Sequence, residues 1–133
     1  MNIFTKKKGN NQPATYNDLG QGPDPQTAVD FFRRGMKHYA RREYASAEAD
    51  FSISINLDLS SIDTYYSLGM VFKAQNNKDA AIQSFQRAID LILVNPGEKK
   101  SSRDILRRLA LGHINELTQG DWNLEKEIWQ HEE

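Results

Sequence analysis

Two stretches of this chain carry the same pattern of aromatic and small residues at a separation of 34 residues. Overlaying residues 28–61 on residues 62–95 without gaps brings eight identical pairs into register: Gly35/Gly69, Met36/Met70, Ala40/Ala74, Ala47/Ala81, Phe51/Phe85, Ile55/Ile89, Leu57/Leu91 and Leu59/Leu93. Ordinary residue usage would give about two identities by chance. A fixed period of this length is typical of stacked helix pairs. The repeat therefore predicts an all-α chain rather than a globular fold with a catalytic pocket.

The chain of 133 residues is long enough for one domain with a modest core. Its formal net charge of −1 gives the molecule no long-range attraction to nucleic acid or to an anionic membrane. Cysteine is absent, which excludes disulfides and thiolate zinc sites. No apolar stretch approaches the roughly 20 residues of a transmembrane helix, and residues 1–8 lack the apolar segment of a secretory signal. We therefore expect a soluble, cytoplasmic protein.

Residues 1–25 are rich in Asn, Gln, Gly, Lys and Pro and contain few large apolar side chains. Such a segment cannot bury enough surface to offset the entropy of ordering, so we expect a flexible tail. Helical spacing of apolar residues begins at Gln26. Together with turn residues and possible capping boxes such as Ser60-x-x-Asp63, it predicts six helices. These are expected at about residues 26–41, 44–57, 61–75, 78–94, 102–118 and 121–131.

The repeated residues resemble those of the tetratricopeptide repeat (TPR) family. The second repeat carries seven residues of the family pattern: Tyr65, Leu68, Gly69, Phe72, Ala81, Phe85 and Ala88. The first repeat carries Phe31, Gly35, Tyr44, Ala47 and Phe51, but departs from the pattern at Arg34, His38 and Ser54. A third copy is looser, because Leu111-Gly112 follows Leu68-Gly69 by 43 residues instead of 34.

The resemblance implies a helical domain over residues 26–133. Its antiparallel helix-pair repeats would span about residues 28–61 and 62–95, with a divergent third pair at about 102–131. Together they would form a short right-handed superhelical solenoid. The predicted structural residues of the two repeats are Gly35, Ala47, Phe51, Gly69, Ala81 and Phe85. The glycines and alanines would let the helices of a pair approach closely, and the phenylalanines would fill the space between successive pairs.

In this family, the first helix of each pair lines a concave groove that binds peptides or helices. The matching positions here are Val29, Phe32, Met36, Tyr39 and Ala40 in the first repeat, Asp63, Tyr66, Met70, Lys73 and Ala74 in the second, and, by a looser alignment, Leu106, Leu109, His113, Glu116 and Leu117 in the third. Such a groove is apolar and aromatic, and its methionines suit adaptable recognition of apolar side chains. The resemblance thus implies a protein-binding module, an adaptor or assembly factor, that takes an apolar peptide or helix.

The residues expected to contact the partner are Phe32, Met36, Tyr39, Tyr66 and Met70, with Arg33 and Lys73 orienting acidic flanks. The alternative is that some of these side chains pack against their neighbours inside the domain or against the tail. One ligand of the family is not expected here, namely the C-terminal carboxylate that some members grip with Lys, Asn and Arg. At those positions this chain has Phe32, Met36, Ser67, Leu106 and Ala110.

Arg33, Lys37 and Arg41 form a basic stripe at i, i+4 and i+8. Such a stripe can dock an acidic partner or a phosphate backbone. It can also be a solvated helix face, supported by the i, i+4 pair of Asp30 and Arg34, and we favour this second interpretation. The stripe lacks a stacking platform for bases, so nucleic acid is not an expected partner.

Catalysis finds little support in the sequence. His38, His113 and His131 are far apart, and no nucleophile motif, metal-ligand spacing or glycine-rich phosphate loop is present. We therefore expect no enzyme activity, cofactor, metal site or small-molecule substrate. The rival to a binding module is a structural subunit of a larger complex. It would be held there through residues 91–94, through Trp122 and Trp129, and through the tail.

Overall fold

The structure, a computed structural model, describes residues 23–95, 97 and 100–120. Within these residues the chain is all-helical and contains no strand: α1 is Ala28–Ala40, α2 Tyr44–Leu57, α3 Ile62–Ala74, α4 Lys78–Val94 and α5 Lys100–Gln119. The predicted all-α class is confirmed for this part of the chain. The first five predicted helices are present to within two residues at either end. The predicted helix at 121–131 and residues 1–22 of the predicted tail lie outside the described residues.

The five helices pack in the order of the chain. The first pair is α1 packed against α2, and the second pair is α3 packed against α4. A three-residue turn joins the two helices of each pair, and so short a connection makes neighbouring helices fold back on one another. The first pair contacts the second chiefly through α2 and α3, and the second pair contacts α5 chiefly through α4.

Each helix pair is closed by a phenylalanine ring that lies directly over a glycine. A Cβ atom added at Gly35 would come within 2.6 Å of the Phe51 ring, and one added at Gly69 would come within 2.7 Å of the Phe85 ring. Both rings and both repeat alanines have no exposed surface. The glycines are required because the rings occupy the space where any larger side chain would begin.

The same two rings also belong to buried clusters that include the helix after each pair. Phe51 belongs to a buried cluster with Leu68 and Val71 of α3. Phe85 belongs to a second cluster with Ala110 of α5. Each ring thus contacts its own pair and the helix that follows, so a single side chain joins two interfaces.

The turn inside each pair contains one residue with a left-handed backbone. This residue is Arg42 in the first pair, with a φ of 63°, and Asn76 in the second, with a φ of 62°. Asparagine tolerates the left-handed region because its short polar side chain can bond locally, whereas an arginine Cβ crowds the following carbonyl oxygen. The first turn therefore carries backbone strain that the second turn largely avoids.

The helix starts differ from the predicted capping boxes. α1 begins at a box that the sequence pattern had not indicated, in which Thr27 and Asp30 each accept a hydrogen bond from the backbone N–H of the other. The predicted box at Ser60 is wrong, because Ser61 is the N-cap residue of α3. Ser60 instead donates to the Asp58 carboxylate in the turn before the helix.

We expect Gly69→Ala to lower the free energy of unfolding by about 1–3 kcal/mol, because the new Cβ overpacks the Phe85 ring. Helix propensity alone predicts the opposite sign, a gain of about 1 kcal/mol. Urea unfolding followed by circular dichroism measures the change. The same substitution should cost less in a Phe85→Leu background, and equal costs in the two backgrounds would contradict the contact.

Arg42→Gly should raise the free energy of unfolding by about 1 kcal/mol, because glycine has no Cβ to strain the left-handed turn. Asn76→Gly is the matched control at the same position of the second pair, and its gain should be smaller. Thermal unfolding of both variants provides the comparison. A lower stability for Arg42→Gly than for the wild type would show that the turn is not strained.

Candidate protein-binding face

The first helices of the pairs lie side by side with α5 and form one surface, which we call the three-helix face. The Ser67 hydroxyl of α3 lies 3.7 Å from the Met36 sulfur of α1. The Tyr66 hydroxyl of α3 lies 3.1 Å from Nε2 of His113 on α5. The structure thus brings the predicted groove residues of all three repeats onto neighbouring helices.

On α1, the exposed surface of the three-helix face is apolar. Val29 is 58% exposed and Met36 is 42% exposed. Phe32 and Tyr39 are only half-exposed, because their rings pack against aromatic rings of α2. Of the three predicted apolar contact residues on this helix, Met36 is therefore the most exposed, and the two rings are partly covered.

On α3, the predicted contact residues Tyr66 and Met70 are also half-buried. The Tyr66 ring meets the Phe85 ring edge-on, with centroids 5.5 Å apart. Met70 packs against the same buried cluster. Burial raises the pKa of Tyr66, and the nearby Tyr39 raises it further. Both side chains thus help to hold the fold while they contribute to the surface.

His113 is a buried polar residue where α5 meets α3. It is 6% exposed, and its ring stacks on Phe85 with centroids 4.9 Å apart and an angle of 12° between the planes. Its Nδ1 lies 2.9 Å from the Lys73 ammonium. Burial lowers the pKa of His113 to about 4, the charge of Lys73 lowers it too, and Glu116 opposes the shift. A neutral imidazole that accepts from Lys73 at Nδ1 and donates from Nε2 to Tyr66 fits this geometry.

Lys73 already has partners within the described residues. Its ammonium lies 2.5 Å from the Glu116 carboxylate, in an ion pair that joins α3 to α5. It also donates to His113, as described above. A carboxylate from a binding partner would therefore have to compete with Glu116 for the predicted orienting role of Lys73.

A buried polar network, which the sequence pattern did not predict, joins the helices of the first pair. Arg34 donates two hydrogen bonds of 2.9 Å to the Asp50 carboxylate, whose side chain is 5% exposed. The bond to Asp50 raises the pKa of Arg34. His38 lies 2.7 Å from Glu43 and 3.7 Å from Asp50. The paired geometry and the added bonds satisfy charges whose burial would otherwise be costly.

Two residues of this network, Arg34 and His38, occupy positions that are apolar in the second pair. Leu68 stands 34 residues after Arg34, and Phe72 stands 34 residues after His38. Leu68 and Phe72 pack against the first pair. The corresponding side of α1 has no preceding pair in the described part of the chain, so polar groups stand there instead. The available signal was that Arg34 and His38 depart from the family pattern together, one turn apart.

Ser54 is the third departure from the family pattern, and the structure explains it as well. It is buried, with 1% of its surface exposed. Its hydroxyl donates a hydrogen bond of 2.7 Å to the backbone carbonyl of Ala28. The bond ties α2 to the first turn of α1, and it satisfies a hydroxyl whose unpaired burial would cost free energy.

Two residues of the basic stripe of α1, Arg33 and Lys37, differ in their exposure and in their ion pairs. The Arg33 side chain is 64% exposed, and its guanidinium lies 3.7 Å from the Asp30 carboxylate. That carboxylate also accepts hydrogen bonds from the backbone N–H groups of Gln26 and Thr27. Lys37 has no ion pair or side-chain hydrogen bond among the residues that the structure describes. Arg33 therefore faces solvent, whereas Lys37 is partly buried and its ammonium pairs with none of these residues.

Comparison with models of known protein families gives no match, and comparison with curated proteins gives no significant relative. The likeness to the tetratricopeptide repeat family therefore rests on the repeated residues themselves. Within the described ranges, no three His, Asp or Glu side chains are grouped so as to hold a metal ion. None of the helices between residues 23 and 120 that the structure describes has the length and apolarity needed to cross a membrane.

The pKa of His113 makes stability depend on pH. In the unfolded chain a histidine titrates near 6.5, whereas the folded value is about 4, so the unfolded chain binds a proton first as the pH falls. Stability from this group is complete above about pH 6.5 and is lost between there and pH 4. We expect the wild type to lose roughly 2 kcal/mol more than His113→Phe between pH 7 and pH 5.

Urea unfolding of both proteins at the two pH values measures that difference. Carboxylates that titrate over the same range are present in both proteins, so their contribution largely cancels. Parallel losses in wild type and His113→Phe would contradict the low pKa.

Proposed function

We propose that this chain is a protein-binding module, an adaptor or assembly factor without enzyme activity, which acts in the cytoplasm and binds an apolar peptide or helix on its three-helix face. The observation that carries the proposal is the exposed apolar strip of Val29 and Met36 on α1. The strip adjoins the half-buried rings of Phe32, Tyr39 and Tyr66. Apolar surface that is grouped on one face in this way is typical of a contact site.

The contact between Phe and Gly, made once in each helix pair, supports the finer architecture that we propose with this function. We propose that the helix-pair repeats stack into a short right-handed solenoid of the tetratricopeptide type, with α5 beginning the divergent third pair. In such an array each unit contacts only its neighbours. The first helix of each unit is then left free to contribute to a shared binding surface.

A partner helix would use apolar side chains spaced at i, i+3, i+4 and i+7 to cover the strip. Met36 can adapt its shape to such a partner, because its side chain is unbranched and polarizable. Each Å² of apolar surface removed from water would contribute about 25 cal/mol before the costs of association are subtracted. The half-buried rings of Phe32, Tyr39 and Tyr66 would form a rigid apolar surface beneath the partner.

A second candidate function, a structural subunit of a larger complex, is favoured by a different surface. Leu93 is 63% exposed and Val94 is 79% exposed at the end of α4. Ile92 beside them is 3% exposed and belongs to the core. The apolar run at residues 91–94 is therefore only partly covered by the described residues, and a permanent partner would bury the rest.

We expect Val29→Glu/Met36→Glu to reduce capture of the partner about tenfold or more, since it places two charges where apolar contact is proposed. Leu93→Glu/Val94→Glu is the matched control, because it adds the same charges at exposed apolar residues elsewhere. Affinity purification from cells that express the chain, with quantification of the captured proteins, measures the effect. Circular dichroism checks that both variants fold.

The two candidate functions give opposite results in this experiment. Loss of capture with Val29→Glu/Met36→Glu, and retention with Leu93→Glu/Val94→Glu, supports the binding module. The reverse pattern supports the structural subunit. Capture of the same proteins at the same level by all three chains would contradict both surfaces.

A further inference from the structure

The basic side chains of α1 fall into two groups with different surroundings. Arg34 and His38 contact carboxylates on the turn or on α2 at 2.9 Å and 2.7 Å, which is sufficient for a polar end of the helix array. Among the described residues, the one carboxylate near Arg33 is that of Asp30 at 3.7 Å, and Lys37 has no ion pair there. Arg33 and Lys37 thus differ from Arg34 and His38 in having no carboxylate closer than 3.7 Å among these residues.

The second group of cations borders the exposed apolar strip. Arg33 follows Val29 by four residues and precedes Met36 by three, and side chains at these spacings are neighbours on a helix surface. Lys37 follows Arg33 by four residues and extends the cationic border along the helix. The α1 side of the three-helix face is therefore an apolar strip with a positive edge.

We infer that this face selects an acidic amphipathic segment of a partner protein. The apolar side of that segment covers Val29 and Met36, and its carboxylates pair with Arg33 and Lys37. The inference rests on the proposed function and names the chemistry of the partner for the same face. The sequence analysis expected Lys73 to orient acidic residues of the partner, but the Lys73 ammonium already lies 2.5 Å from the Glu116 carboxylate. The inference therefore assigns that orienting role to Lys37.

The charges contribute mainly to selection and to the rate of association. Exposed ion pairs add modest affinity, whereas complementary charge speeds encounter and like charge at an interface is strongly unfavourable. An acidic segment therefore gains a little at this edge, and a basic segment is rejected. Because Arg33 is exposed and Lys37 is only partly buried, the preference should weaken as salt screens their charges over about 8 Å at physiological ionic strength.

The probes for this inference are three labelled amphipathic helices of about 18 residues, or five turns. All three carry leucine on the apolar face, and the polar face is glutamate, glutamine or lysine. We expect the full chain to bind the glutamate peptide about tenfold more tightly than the lysine peptide in fluorescence anisotropy at low salt. Arg33→Glu/Lys37→Glu should invert that order and leave the affinity for the glutamine peptide within about twofold.

A matched control separates local charge from net charge. Lys78→Glu/Lys100→Glu changes the net charge by the same amount at the first residues of α4 and α5, where glutamate is favourable for the helix. This control should keep the wild-type order of the three peptides. If it inverts the order as well, overall charge accounts for the preference and the inference is wrong.

The glutamine peptide distinguishes failure of the inference from failure of the proposed function. If all three peptides bind equally, and Val29→Glu/Met36→Glu abolishes their binding, the apolar face stands and the acidic preference is wrong. If the glutamine peptide does not bind, or if binding does not depend on Val29 and Met36, the proposed function is wrong and the inference falls with it. Tighter binding of a labelled single-stranded oligonucleotide than of any peptide would overturn the inference in favour of a phosphate backbone.

Discussion

The contact between a phenylalanine ring and a glycine backbone governs the packing of this protein. Phe51 over Gly35 closes the first pair, and Phe85 over Gly69 closes the second. The same rings contact the helix that follows each pair. A change at either ring would therefore act on two interfaces at once. This is the physical reason why the ring and the glycine recur together at a fixed separation.

The two helix pairs share the same backbone arrangement but differ in the side chains on one side of their first helix. The second pair has neighbours on both sides, and it places Leu68 and Val71 against the first pair. The first pair has one described neighbour, and it places Arg34 and Asp50 on the opposite side in a well-formed ion pair. An apolar surface at the end of a stack invites association with other chains. The Arg34–Asp50 ion pair replaces such an apolar surface with a polar one, and neither of its charges is left unpaired.

Much of the fold could be predicted because the signals are local. Apolar spacing and turn residues placed five helices close to their observed bounds, and the recurrence of small residues indicated where helices approach. The boundary signals were less reliable: Ser60 was the expected cap of α3, but its hydroxyl bonds to Asp58 instead. A short polar side chain can bond any of several nearby groups. A spacing rule therefore cannot decide which partner it bonds.

The candidate site could be predicted only in part. The sequence pattern grouped Met36, Tyr66 and Met70 on first helices, and the structure places those helices beside one another. The exposed fraction of each side chain could not be predicted, because it depends on how closely that side chain packs against the neighbouring helix. The contacts of His113 with Tyr66 and Lys73 span 47 and 40 residues. They reach α5, where the spacing of the sequence pattern is irregular and gave only a loose register.

For this protein, the order of residues alone was enough to establish the helix pairs, their spacing and the apolar character of their first helices. These properties follow from periodicity along a single chain. Only the tertiary structure decided which cations pair with a carboxylate of another helix and which do not. Arg34 meets Asp50 across 16 residues, whereas Lys37, three residues further along the same helix, has no such partner in the described chain. Neutralisation depends on distances between helices, and a linear pattern does not contain them.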